Sequence, residues 1–265
     1  MFTLRSNTCR GDERIRGLLA EAALFNLLAQ GFYYPGPEQQ AAVKKAFSRV
    51  QPHRDPRTRR IPRGRLLKAA QRAWEAAELA VLQAEYGRLF LGNVPCPLHE
   101  TAYGDGRRIA GRAVELADIQ GFYSAFGFAL ADDNPDLPDH LCTELEFYSL
   151  LLVKQAYALH CNWPARHRVA RRAAAAFLEQ HLGRWIGALG RSLADQRAAT
   201  PYLALAALLE FSVKEQGKRL RITPQLAESR LPYDAMQADV FNCQQGVESP
   251  HLTAAQGTEA ANTSS

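Results

Sequence analysis

Alanine and leucine make up 43 and 34 of the 265 residues, against 10 valines and 6 isoleucines. Strands favour β-branched side chains and helices favour Ala and Leu, so this balance predicts an all-α fold. The length suffices for one sizeable core, or at most two small domains. Of these the expected architecture is a single globular multi-helix bundle, followed by a flexible C-terminal tail. No apolar run approaches the roughly 20 residues that span a bilayer. The N-terminal stretch MFTLRSNTCRGDER is too polar for a secretory h-region. These features predict a soluble, cytoplasmic protein with no stable membrane insertion. Its five cysteines form no C-x-x-C pair, which indicates neither a disulfide framework nor a zinc site.

Periodicity divides the chain into an N-terminal tail (1–11), a helical domain (12–222) and an irregular, disordered C-terminal tail (223–265). Within the domain, helices are expected over 12–32, 38–50, 65–91, 111–128, 137–161, 165–190 and 200–220. Tyr34–Pro37 stops the first helix, because proline lacks an amide proton and restricts its predecessor. Gly92 and Pro95 end the third. Asp136 is the expected N-cap of the helix from Leu137, with Pro138 in its first turn and Asp139 as in a capping box. Leu141, Leu145, Tyr148, Leu152 and Leu159 form an apolar stripe that Phe147 and Leu151 widen, which places this helix at the centre of the bundle.

Against this background two stretches stand out: Glu85–Tyr103 (EYGRLFLGNVPCPLHETAY) and Pro135–Phe147 (PDLPDHLCTELEF). They concentrate prolines, aromatics, carboxylates and the histidines His99 and His140, a mixture that helix packing does not require. Charge is uneven as well. Arg54–Arg72 carries eight Lys/Arg against one acid, whereas Ala131–Glu146 carries six carboxylates and no Lys or Arg.

Three chemistries suit these residues. His99, His140 and Glu144 would serve a small metal-dependent hydrolase, although H-x-x-x-E alone is a weak ligand pattern. Arg54–Arg72 would serve a helical nucleic-acid-binding regulator, yet it lacks aromatics for base stacking and the acidic segment repels a phosphate backbone. No G-x-S-x-G, P-loop or dinucleotide fingerprint is present. Cys96 lies between two prolines, and nothing in the sequence pairs it with an activating base; a small apolar residue in a stiff loop accounts for it. The third chemistry is peptide recognition. Tyr86, Leu89 and Phe90 end one helix, Pro95–Tyr103 forms a stiff loop, and Asp139, His140 and Glu144 open another helix. Converging, they would make an apolar surface edged with carboxylates, suited to a partner that is hydrophobic with a basic end.

The blocks RLFLG, P-C-P-L-H-E-x-x-Y, Y-x-x-F-G (Tyr123–Gly127) and P-D-H-L-x-x-E-L-E-F, in this order and spacing, resemble the TorD/DmsD/NarJ family of redox-enzyme maturation chaperones over about residues 12–220. The P-L-H-E form is similar to the delta-type chaperones of type II DMSO-reductase-family molybdoenzymes. The resemblance implies an all-helical, non-catalytic cytoplasmic chaperone, monomeric or weakly dimeric. It implies as partners the twin-arginine signal peptide and the apo catalytic subunit of a molybdoenzyme, held until bis-molybdopterin guanine dinucleotide is inserted. No cofactor or metal would bind stably, contact with the molybdenum cofactor or its delivery machinery being transient; nucleic acid is not a partner. Carried over by position, Tyr86, Leu89 and Phe90 match the family's helix end in the signal-peptide groove, and Asp139 and His140 match its Asp-His pair. Pro97, His99, Glu100 and Tyr103 fall in its loop, and Glu144 follows one turn after His140. Some members carry tryptophans where this chain has Tyr86 and Val94, which points to a different peptide preference.

Overall fold

Leu24, Phe25, Leu27, Leu28 and Phe32 recur at helical spacing and bury one face of a long first helix, α1 (Thr3–Phe32). A computed structural model provides the coordinates, in which residues 3–50, 62–91, 94–104, 112–130, 137–227 and 229–230 are described. The helix starts at Thr3, so residues expected to be an N-terminal tail continue α1 instead. It is followed by α2 (Pro37–Arg49), α3 (Pro62–Ala76), α4 (Leu79–Phe90), α5 (Arg112–Ala125), α6 (Leu141–His160), α7 (Pro164–Phe177), α8 (Gly183–Asp195) and α9 (Thr200–Leu220). Two two-residue strands, β1 (Tyr103–Gly104) and β2 (Ser229–Arg230), pair antiparallel. The fold is all-α, as the Ala/Leu balance requires.

Helix α6 is buried around most of its circumference and forms the axis of the bundle. It runs antiparallel to α1: Tyr33 reaches Glu146 at 3.1 Å, Phe25 meets the Tyr148 ring edge-on at 4.7 Å, and Ser149 Oγ donates to the Ala22 carbonyl at 2.9 Å. Helix α9 is tied to α1 and α3 through Glu21, a buried carboxylate paired with Arg63 and Arg219 and receiving the Gln216 amide. Arg63 comes from the basic stretch, so that cation serves folding. Residues 51–61 of the stretch lie outside the described residues.

Two helices that the sequence reads as continuous are interrupted. The expected 65–91 helix breaks at Ala77–Glu78, where Glu78 is extended and the Gln40 side chain donates 3.0 Å to the freed Ala77 carbonyl. The expected 165–190 helix contains a π turn at Leu178–Leu182 between α7 and α8. A Cβ on Gly183 would lie 2.2 Å from the Leu178 carbonyl oxygen, so the turn requires glycine there.

The C-terminal boundary also differs from expectation. Ala227 is buried, its N–H donates to the Arg184 carbonyl at 2.9 Å, and its own carbonyl accepts from Arg191 at 3.1 Å. Together with β2, this joins residues 223–230 to the helical unit. The rest of the expected tail, 231–265, lies outside the described residues.

Candidate functional site

Proline and hydrogen-bond pairing shape the loop Pro95–Tyr103. The Cys96 N–H donates to the Leu89 carbonyl at 3.0 Å, fastening the loop to the end of α4. On the other side the loop runs antiparallel to the entry of α6. His99 faces His140 in a β-bridge, the Leu141 N–H donates to Leu98 at 2.7 Å, and the Glu100 N–H donates to Asp139 at 3.0 Å. The two imidazole rings stand edge-on, 5.1 Å apart. The Tyr103 hydroxyl closes the loop on the Pro97 carbonyl at 2.8 Å. The two anomalous stretches of the sequence therefore meet in space.

This pairing moves the start of α6. The helix begins at Leu141, with His140 as N-cap: its Nδ1 accepts from the Cys142 N–H. The expected start at Leu137 fails because residues 139–141 are engaged with the loop. Asp136, the expected cap, lies outside the described residues, as do Asp132 and Asp133.

Asp139 is fully buried and does not act in a capping box. Its carboxylate accepts from the Thr101 N–H at 3.1 Å and the Thr101 hydroxyl at 2.6 Å, and it meets His99 Nδ1 at 3.1 Å. Burial pushes its carboxyl up, but the His99 ring and the two Thr101 donors more than offset this and hold it below the usual aspartate range. Glu144, one turn into α6, is the opposite case. It is fully buried, and the Trp185 indole N–H donates to it at 3.3 Å. Burial, then the charges of Glu100 and Asp139, push its carboxyl well above the usual range and favour the neutral form.

Glu100, also buried, meets two basic side chains. Its carboxylate meets His181 Nδ1 at 3.2 Å and the Arg184 guanidinium at 3.5 Å. His181 Nε2 lies 3.2 Å from Asp118, and Arg184 lies 3.5 Å from Glu115, which attaches α5. The Tyr103 ring stacks on Trp185 at 5.3 Å. The Tyr123 hydroxyl donates to the Pro138 carbonyl at 2.7 Å; burial, then the surrounding carboxylates, push it well above the usual phenol range. Thr101, Asp118, Tyr123, His181, Arg184 and Trp185 thus complete the site, and sequence reasoning named none of them as site residues. The last three occupy the π turn and the start of α8, within a stretch read as unbroken helix; Gly183 was the available signal.

Nine of the ten residues expected to line a peptide surface are buried: Tyr86, Leu89, Phe90, Pro97, Glu100, Tyr103, Asp139, His140 and Glu144. His99 is 31% exposed. Tyr86 and Phe90 belong to an aromatic cluster with Phe32, Tyr34 and Tyr202, and Leu89 is wholly enclosed. In this structure these side chains frame the junction and do not themselves form open walls. Leu91 and Leu137, 51% and 39% exposed, are large apolar side chains beside it that face solvent.

The family model of the nitrate reductase delta subunit matches residues 62–190, the segment that holds the loop, α6 and the π turn. The selenate reductase assembly chaperone protein of Thauera selenatis is 34% identical over 152 residues, 56% of this chain and 75% of that one. The chlorate reductase assembly chaperone protein of Ideonella dechloratans is 33% identical over 54% of this chain and 72% of that one. The perchlorate reductase assembly chaperone protein of Dechloromonas aromatica is 28% identical over 75% and 88%. The chain belongs to the TorD/DmsD/NarJ family of redox-enzyme maturation chaperones. It is a chaperone and not an enzyme.

His99 Nδ1 is engaged with Asp139, His140 Nδ1 with the Cys142 amide and Glu144 with Trp185, so the three candidate hydrolase ligands serve other partners. Among the described residues no three His, Cys, Asp or Glu side chains are placed to hold a metal ion. Cys96 is fully buried and in no disulfide, which fits a small residue in the stiff loop. No helix among the described residues is long and apolar enough to cross a membrane.

Proposed function

We propose that this chaperone acts in the cytoplasm on the catalytic subunit of a DMSO-reductase-family molybdoenzyme. It binds the subunit's twin-arginine signal peptide and the apo form, and delays export until bis-molybdopterin guanine dinucleotide is inserted. The observation that carries the reading is the set of relatives just described, each an assembly chaperone of a reductase and each matched over more than two thirds of its length. The junction supports it in a supplementary way. Its buried bonds fix the backbone from which His99, Leu91 and Leu137 reach solvent, offering apolar contact beside a cluster of buried carboxyl groups. Burying a few apolar side chains of a leader, at about 1.5–3 kcal/mol each, offsets the ordering cost and leaves reversible affinity. On this reading the chaperone holds no cofactor of its own and works as a monomer or weak dimer.

The test is co-purification with a DMSO-reductase-family catalytic subunit of the same organism, expressed with its leader, without the leader, and with the twin arginines changed to lysines. Capture of the intact precursor and loss of the leaderless form are expected. Equal recovery of all three forms would refute the signal-peptide assignment, and recovery of none would refute the client assignment.

A further inference from the structure

A second chemically distinct surface lies at the far end of α6. Between Glu146 and Glu179 the chain contains no carboxylate, while α7 alone supplies Arg166, Arg168, Arg171 and Arg172. Helix α7 turns Ala170, Ala174 and Phe177 inward, leaving all four arginines exposed. Arg168, Arg171 and Arg172 form no ion pair among the described residues. Arg14 of α1 adds to the same field. His167, partly covered on α7, has its proton affinity depressed first by burial and then by Arg14, Arg171 and Arg168.

Apolar and aromatic side chains share this end of the molecule. Trp163, just before α7, is 38% exposed, Tyr157 is 58% exposed, and their rings meet edge-on at 5.6 Å. Val169, 58% exposed, follows Arg168 on α7. The Arg166 guanidinium lies 4.2 Å over the Trp163 ring. Tyr157 is about 25 Å along α6 from His140 at 1.5 Å rise per residue, so this surface is separate from the junction.

We infer that the α7 face, with Arg14, Tyr157 and Trp163, docks the chaperone on the anionic surface of a lipid bilayer. Unpaired arginines are drawn to acidic headgroups. Indole, phenol and valine side chains beside them suit the boundary between headgroup and acyl chain, where Trp and Tyr have one apolar and one wet end. A single-stranded nucleic acid fits less well. Arg166 covers one face of Trp163, where a base would stack, and Val169 offers a phosphate nothing. Seated this way, the chaperone would leave its opposite end available to a client.

The test is sedimentation of the full chain with vesicles of phosphatidylglycerol and phosphatidylcholine in equal parts, compared with phosphatidylcholine alone. Binding to the anionic vesicles only, weakened by salt, is expected. Trp74 and Trp185 are buried, so a blue shift on binding reports Trp163 and should vanish in Trp163→Phe. Arg168→Glu/Arg171→Glu should lower the partition at least about tenfold. Arg65→Glu/Lys68→Glu, at exposed positions of α3 and with the same change in net charge, should leave it unchanged. No binding to anionic vesicles, or equal losses in the two double variants, overturns the inference. So does tight binding of a single-stranded oligonucleotide that vesicles do not displace.

Discussion

Glu144 and Asp139 are buried carboxyls five residues apart, and their surroundings drive them in opposite directions. Glu144 has its carboxyl raised by burial and by its acidic neighbours, so its stabilising contribution is complete below about pH 4.5 and is lost as pH rises toward the folded value. Glu144→Gln keeps an acceptor for Trp185 and removes that dependence. The variant should gain on the parent as pH rises from about 5 to 8. Urea midpoints across that range read the difference, and parallel curves for the two proteins would contradict it. Asp139 has its carboxyl lowered, so its contribution is present above about pH 4 and lost as pH falls through the folded value. Asp139→Ala strands both Thr101 donors and should cost about 2–4 kcal/mol at neutral pH; a melting temperature equal to the parent's would rule this out. These acids were legible in the sequence because polar residues inside an apolar stripe need a reason. His181 was not, since one histidine among alanines and leucines breaks no pattern.

At the scale of elements, both misread helices share a cause. Apolar spacing continues on each side of the break, and neither break contains a proline, so periodicity sees one helix. What interrupts them is tertiary. Gln40 satisfies the carbonyl freed at Ala77, and the Leu178–Leu182 turn lets His181 and Trp185 reach Glu100 and Glu144. Gly183→Ala should destabilise by more than about 3 kcal/mol, because its Cβ would collide with backbone and with Pro224 as well. A thermal melt reads this, and an unchanged midpoint would mean that α8 does not depend on the π turn. Gln40→Ala should cost only about 1 kcal/mol, the net worth of one part-buried hydrogen bond. By contrast, α9 was legible to the residue: Thr200-Pro201 starts it, and it ends at Leu220 as expected.

For the whole molecule, the Ala/Leu balance gave the fold class and an apolar stripe gave α6 its central place, but composition misplaced the C-terminal edge. Residues 223–230 lack helical spacing, and their order comes from partners distant in sequence. Pro224 packs near Gly183, Ala227 bonds Arg184 and Arg191, and Ser229–Arg230 pair with the strand that ends the His99 loop. This segment therefore holds two edges of the junction, α8 and β1, at once. A chain ending at Ile222 should melt several degrees below one ending at Leu231, since losing about 2 kcal/mol shifts a domain of this size by roughly 4–8 °C. Because Arg184 meets Glu100, amide exchange in residues 98–103 should rise in the shorter chain, while α1 and the C-terminal half of α6 stay protected. Exchange rising evenly through the bundle would mean that the segment supports global stability alone and has no particular tie to the junction.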